Sequence, residues 1–177
     1  MDELAMALEL GFSQAAPLAM EALAPNAQVR AMCAADRCGM YGRSWSCPPG
    51  CGTLSRLERE MKGYARGLLV QTTAPLEDEF DAAGMAQAQT RHRRSFEALV
   101  RCLRRSGQQD CLPLTAGACR VCLSCTYPGA PCRFPRKRMA SMEACGLLVS
   151  EVCSRSGLGY FYGTGTVTYT SCVLLRR

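Results

Sequence analysis

Histidine and tryptophan each occur once in the 177 residues, and Phe, Tyr and Trp together make up only 7% of the chain. With a single imidazole, His92, a metal site built on histidines is out of reach and no H-E-x-x-H pair can form. Scarce aromatics leave few stacking platforms for nucleic acid, and no base-reading module is visible, so nucleic acid is not an expected partner. No run approaches the roughly 18 consecutive apolar residues of a membrane helix, so none is expected to span a bilayer. The first ten residues carry three acids and no base, unlike a secretory leader, so a reducing cytoplasm is the expected compartment. A phosphate loop, a dinucleotide-binding glycine pattern and the C-x3-C-x2-C spacing of radical enzymes are missing too. Gly157-Leu-Gly159 and Gly163-Thr-Gly165 read as turns before a last strand.

What the chain has in excess is cysteine, 13 in all. An odd count leaves at least one thiol unpaired, and a reducing compartment would not sustain a disulfide framework, so metal ligation is the expected use. The distribution is uneven. Four fall between Cys33 and Cys51, four between Cys119 and Cys132, and Cys102, Cys111, Cys145, Cys153 and Cys172 stand singly. The single ones are expected to pack as small buried hydrophobes.

At 48% apolar and 20% charged, the chain can bury a core, and its length fits one domain over residues 1–177. Residues 2–10 read as a short helix stopped by Gly11, and residues 12–32 as a short strand or helix interrupted by Pro17 and Pro25. The segment from Cys33 to Gly52, with four Cys, four Gly and two Pro, reads as a loop. Thr53 caps a helix running to about Tyr64, and residues 67–73 form a strand. An acidic run over residues 77–81 precedes a helix from Ala86 to Arg105. That helix buries Phe96, Leu99, Val100 and Leu103; its six Arg residues read as a solvated face partly matched by the acids. Residues 112–115 suggest a short strand, Ser141 a cap for a helix that buries Met142, Cys145, Val149 and Val152, and residues 166–175 a final strand. The expected architecture is α+β, a small sheet packed by helices on one side with two Cys-rich loops at its edge.

The second group reads Cys119-x2-Cys122-x2-Cys125-x6-Cys132. Three thiolates on one tight loop can hold three corners of a cube, and a fourth further on completes the set that a [4Fe–4S] cluster needs. In bacterial ferredoxins the fourth follows after three residues; here the gap is six. Zinc sites more often pair C-x2-C units across a longer gap, so the spacing favours iron–sulfur and leaves zinc as the alternative. The first group, Cys33, Cys38, Cys47 and Cys51, matches no standard spacing, with Gly39 and Gly42 letting the backbone fold tightly and Pro48-Pro49 stiffening it.

Several motifs together resemble one family. They are Cys38-Gly-Met-Tyr41-Gly42, Ser46-Cys47-Pro48-Pro49, Cys132-Arg133-Phe-Pro135 closing the second group, and Ser141-Met142-Glu143-Ala144-Cys145-Gly146. The chain is similar, from about Gly11 to Leu175, to the prokaryotic "predicted metal-binding protein" family, domain of unknown function 2284. The resemblance implies a cytoplasmic protein binding metal, as iron–sulfur, through Cys33, Cys38, Cys47, Cys119, Cys122, Cys125 and Cys132. It implies no reaction, and it omits Cys51, leaving the first site one thiolate short.

The net charge of +6 is concentrated in Arg120, Arg133, Arg136, Lys137 and Arg138, with no acid between Cys119 and Met142. Such a patch can offset the negative charge of thiolates, guide an acidic redox partner or draw an anionic ligand. Three readings follow. The first is an electron-carrying protein with one or two [4Fe–4S] clusters. The second is an enzyme with an open iron as Lewis acid, with Glu143 or Asp36 as base. The third is a zinc-stabilised interaction module. His92, one turn before Phe96, is expected to be a partly exposed or core-edge residue rather than a ligand.

Overall fold

The computed structural model describes residues 2–176. The chain opens with α1 (Glu3–Glu9), capped by the Asp2 carboxylate on the Leu4 N–H, and continues through β1 (Gln14–Pro17). A 3-10 turn (Met20–Ala22) and α2 (Ala27–Ala34) follow. Next come α3 (Leu54–Met61), capped by Thr53, then β2 (Arg66–Pro75) and α4 (Ala82–Arg105). After β3 (Leu112–Thr115), an irregular segment over residues 116–139 leads to β4 (Ala140–Ser141). A 3-10 turn (Glu143–Cys145), α5 (Val149–Arg155) and β5 (Thr166–Leu175) complete the fold.

The five strands form one sheet in the order β1-β2-β5-β3-β4, antiparallel except for the β3–β4 pair. Its spine is the ten-residue pairing of β2 with β5, in which Leu68 faces Val173 and Leu69 faces Cys172. Side chains alternate across a strand, so Leu68, Val70, Val173 and Leu175 point to one face with Phe96, Leu99 and Leu103 of α4. Leu69, Cys172, Leu174 and Leu114 point to the other, against Leu57 and Met61 of α3 and Val152 and Cys153 of α5. Helices therefore cover both faces, not one. The unbroken run Leu68-Leu69-Val70 carries that signal, since a strand with one wet face would alternate.

Other differences are local. The stretch over residues 12–32 holds a strand, a 3-10 turn and a helix in succession, and α2 carries Cys33 in its last turn rather than in the loop. Thr53 caps a helix that ends at Met61, short of Tyr64. Asp81 caps α4 through the Gly84 N–H, which moves its start to Ala82. The acids at 77–81 make no ion pair with the α4 arginines among the described residues; Asp78 and Asp81 bond nearby backbone N–H groups instead.

The helix expected after Ser141 is two pieces. Ser141 Oγ accepts the Ala144 N–H at 3.0 Å and holds a 3-10 turn, which ends at Gly146 in the left-handed region at φ +79°. A Cβ there would lie 2.7 Å from Leu54 and 3.2 Å from the Asn26 nitrogen, so glycine permits the turn to press against α2 and α3. Gly146 O also accepts the Asn26 N–H at 2.7 Å. This contact sets α2, and with it the start of the first cysteine group, beside the β4 edge from which the second group's loop returns.

His92 is buried to 1% exposure. Its Nδ1 bonds Thr72 Oγ1 at 2.9 Å and its Nε2 bonds Ser171 Oγ at 2.7 Å, tying α4 to β2 and β5. Burial pushes its pKa down to about 4, so the ring is neutral and structural, and further inside than a core-edge residue. No helix among the described residues is long and apolar enough to cross a membrane.

Candidate metal centre

All 13 cysteines carry free thiols. The five single ones divide as burial dictates: Cys111, Cys145, Cys153 and Cys172 are buried, and Cys102 on α4 is half-buried. Burial pushes Cys145 up to about 12 and Cys172 well above its ordinary range, so both are inert neutral thiols.

The second group lies on the loop between β3 and β4. Cys119, Cys122, Cys125 and Cys132 line one small cavity of about 30 Å3, together with Ser44 and Trp45 from the first group's loop. Cys125 is the electrostatically distinct member. Burial pushes its thiol up, but the N–H groups of Tyr127, Trp45 and Thr126 and the Ser44 hydroxyl, close to the sulfur, bring it below the usual thiol value. The sulfur is therefore already surrounded by donors that favour a thiolate.

In the first group, Cys33 hangs from the end of α2, Cys38 is exposed, and Cys47 and Cys51 are buried. Cys33 Sγ lies 3.9 Å from Glu143 O, and Cys51 Sγ 3.7 Å from Ala144 O, so both rest on the 3-10 turn after β4. The four thiols feel one another. Cys47 is pushed up to about 11, first by burial and then by Cys38, Cys51 and Cys33, against the Ser46 hydroxyl. Burial also raises Cys33 and Cys51, while Arg30 pulls both down. The structure thus brings Cys51 to the same neighbourhood as the three cysteines of the family pattern.

Arg30 is the residue that sequence reasoning passed over. Its two terminal nitrogens donate to Gly52 O at 3.1 Å each, and its Nε is buried without a partner. A buried donor without an acceptor is costly, and a set of thiolates beside it would supply the missing negative charge. The donor sets thus suit thiophilic metal. As the side chains stand, though, no three Cys, His, Asp or Glu groups among the described residues meet around one point as ligands do.

The two groups are joined by the segment Ser44-Trp45-Ser46. Ser46 Oγ accepts the Cys119 N–H at 3.3 Å and lies 3.9 Å from Cys47 Sγ, touching both groups at once. Ser44 Oγ bonds Ser46 Oγ at 2.9 Å, inside the protein. Trp45 donates its ring N–H to Ala130 O at 3.0 Å and meets the Tyr127 ring edge-on at 4.9 Å. Gly50 completes the junction, because a Cβ there would lie 2.5 Å from Ser44 O and 2.8 Å from Tyr127. Trp45 and Arg138 both line the second group's cavity and a neighbouring one of about 70 Å3 that holds Cys51 and Cys145.

The remaining expected residues are dispersed. Glu143 is exposed beside Cys33, while Asp36, at φ +49°, accepts the Tyr41 N–H at 2.8 Å and lies 4.0 Å from Arg43. The basic segment is not one patch. Arg133 donates to Ser124 O at 2.8 Å, Arg138 sits between the two thiol groups, and Arg120, Arg136 and Lys137 turn toward α4.

No curated protein and no solved structure matches the chain. A family model does match, over residues 16–175, a span that includes both cysteine groups and the turn on which the first one rests. The chain belongs to the family described as "predicted metal-binding protein", domain of unknown function 2284.

Proposed function

We propose that this metal-binding protein is an iron–sulfur protein that passes electrons in the cytoplasm. Cys119, Cys122, Cys125 and Cys132 would hold one [4Fe–4S] cluster, and Cys33, Cys38, Cys47 and Cys51 a second metal centre. The observation that carries the reading is that four thiols from one short loop line a common cavity, with backbone N–H groups close to Cys125. Hydrogen bonds to ligand sulfur offset its charge and tune a cluster's potential. When bound, such a cluster supplies one-electron chemistry.

The chain's own residues do the rest. Burial of Cys47 and Cys51 limits water, Arg30 and Arg138 set positive charge beside the thiolates, and Ser46 spans the gap between the groups. An acidic redox partner would approach the basic segment containing Arg120, Arg133, Arg136, Lys137 and Arg138. Leu123 and Phe134 stand exposed in the same loop as an apolar footing.

One observation favours a second reading. A cavity of about 30 Å3 suits a single ion more readily than a four-iron cube, so a zinc-stabilised interaction module is the alternative.

Anaerobically purified Cys122→Ser tests the assignment, with Cys102→Ser as its control. The iron of one cluster is expected to be lost from the first and kept in the second. Full iron and sulfide retention in Cys122→Ser would contradict the ligand set.

A further inference from the structure

Between α4 and the chain flanking the second cysteine group lies a cavity of about 370 Å3 to which no cysteine contributes. Arg101 and Arg104 reach it from α4; Arg120, Arg136 and Lys137 close it from the opposite wall. Glu97 is the one carboxylate among the lining residues. Five cations therefore face one anion, and none of the five forms an ion pair among the described residues. Arg104 donates to Arg136 O at 3.2 Å, which fastens the two walls together. Val100, Val121 and Met139 supply an apolar side. A neighbouring cavity of about 420 Å3 shares Arg104 and Arg136 and adds Gln109 and Asp110.

A solvated arginine face would spread its charges into water. Here the arginines of one helix turn converge with a second basic segment across a concavity, where like charges repel unless an anion lies between them. The volume falls within the range of small-molecule sites. Guanidinium forks match phosphate oxygens two at a time, and a carboxylate ligand would leave most of the excess charge unmet. A single phosphate ester carries about −1.5 to −2 charges, so two phosphates come closest to the four-charge excess.

We propose that this cavity binds a small organic diphosphate, its phosphates held by Arg101, Arg104, Arg136 and Lys137 and its organic part against Val100, Val121 and Met139. The site does not depend on which metal the cysteines hold. Val121 lines both this cavity and the second group's, so the ligand would lie directly beside those thiols.

Calorimetric titration of the full chain with ADP, AMP, inorganic pyrophosphate and polyglutamate tests the proposal. Saturable ADP binding is expected, at least about tenfold tighter than AMP or pyrophosphate and weakening with salt. Arg101 and Lys137 are both exposed, so the double variant R101Q/K137Q should keep its melting temperature and bind ADP at least about tenfold more weakly. R101Q alone serves the same purpose if the double variant does not fold. Absence of saturable ADP binding, or wild-type affinity in a folded variant, would overturn the site. Equal affinity for pyrophosphate and ADP would overturn the organic half. Polyglutamate binding that ADP does not displace would assign the surface to an acidic protein and overturn the proposal.

Discussion

Ser46 is the residue on which the two cysteine groups meet. Replacing it with alanine removes the acceptor of the Cys119 N–H and the hydroxyl beside Cys47. Leaving such a group unmet costs about 1–3 kcal/mol, so Ser46→Ala should lower the urea midpoint without altering the denaturant slope. Gly50→Ala acts on the same junction by crowding. Its methyl group would press on Ser44 O and the Tyr127 ring, costing about 1–3 kcal/mol of stability and reducing the metal retained after dialysis. An unchanged melting temperature and metal content in Gly50→Ala would show that the loops are not clamped there. Thiol reactivity provides an independent check. With metal removed, Cys38, which is exposed, and Cys125, whose sulfur is stabilised as thiolate, should react with iodoacetamide well before Cys145 and Cys172. Reaction of Cys172 at the same rate would contradict the core as described.

At the scale of elements, the cap of α3 is the simplest test. Thr53 accepts the Arg56 N–H from an exposed position, and Thr53→Ala should cost about 1 kcal/mol by chemical denaturation. The elements legible in the sequence are those with local signals. Gly11 stops α1 and Thr53 announces α3, α4 shows its apolar stripe, and β2 and β5 are β-rich runs. The elements that were not legible owe their form to distant partners. β4 is two residues long and exists because β3 pairs with it, and the turn at Gly146 is required by Leu54 and Asn26, remote in sequence. The site divides the same way. Cysteine spacing marked both groups, but the Ser46–Cys119 bond joins residues 73 apart, and no local pattern signals it. The arginines of α4 likewise read as a wet face because their opposite wall lies in another segment.

At the scale of the molecule, the sheet buries a neutral imidazole between its face and α4. Unfolding frees His92 to bind a proton at its ordinary pKa near 6.5, whereas in the fold it does so only at about 4. The unfolded state therefore takes up more protons between those values, and stability falls as pH drops through that window. The stabilisation is complete above about pH 6.5, and on the order of 3 kcal/mol is lost by pH 4. Denaturation of metal-free wild type and His92→Gln across pH 4–7 reads this directly; the variant should show the shallower slope. Equal slopes would place the acid sensitivity elsewhere.

The central claim concerns what the eight grouped thiols hold, and content measured after strictly anaerobic purification tests it most directly. Iron and acid-labile sulfide should appear in equal amounts, about four of each for the second group's cluster and more if the first group also holds iron. Stoichiometric zinc without sulfide, in a colourless protein, would contradict the electron-transfer account.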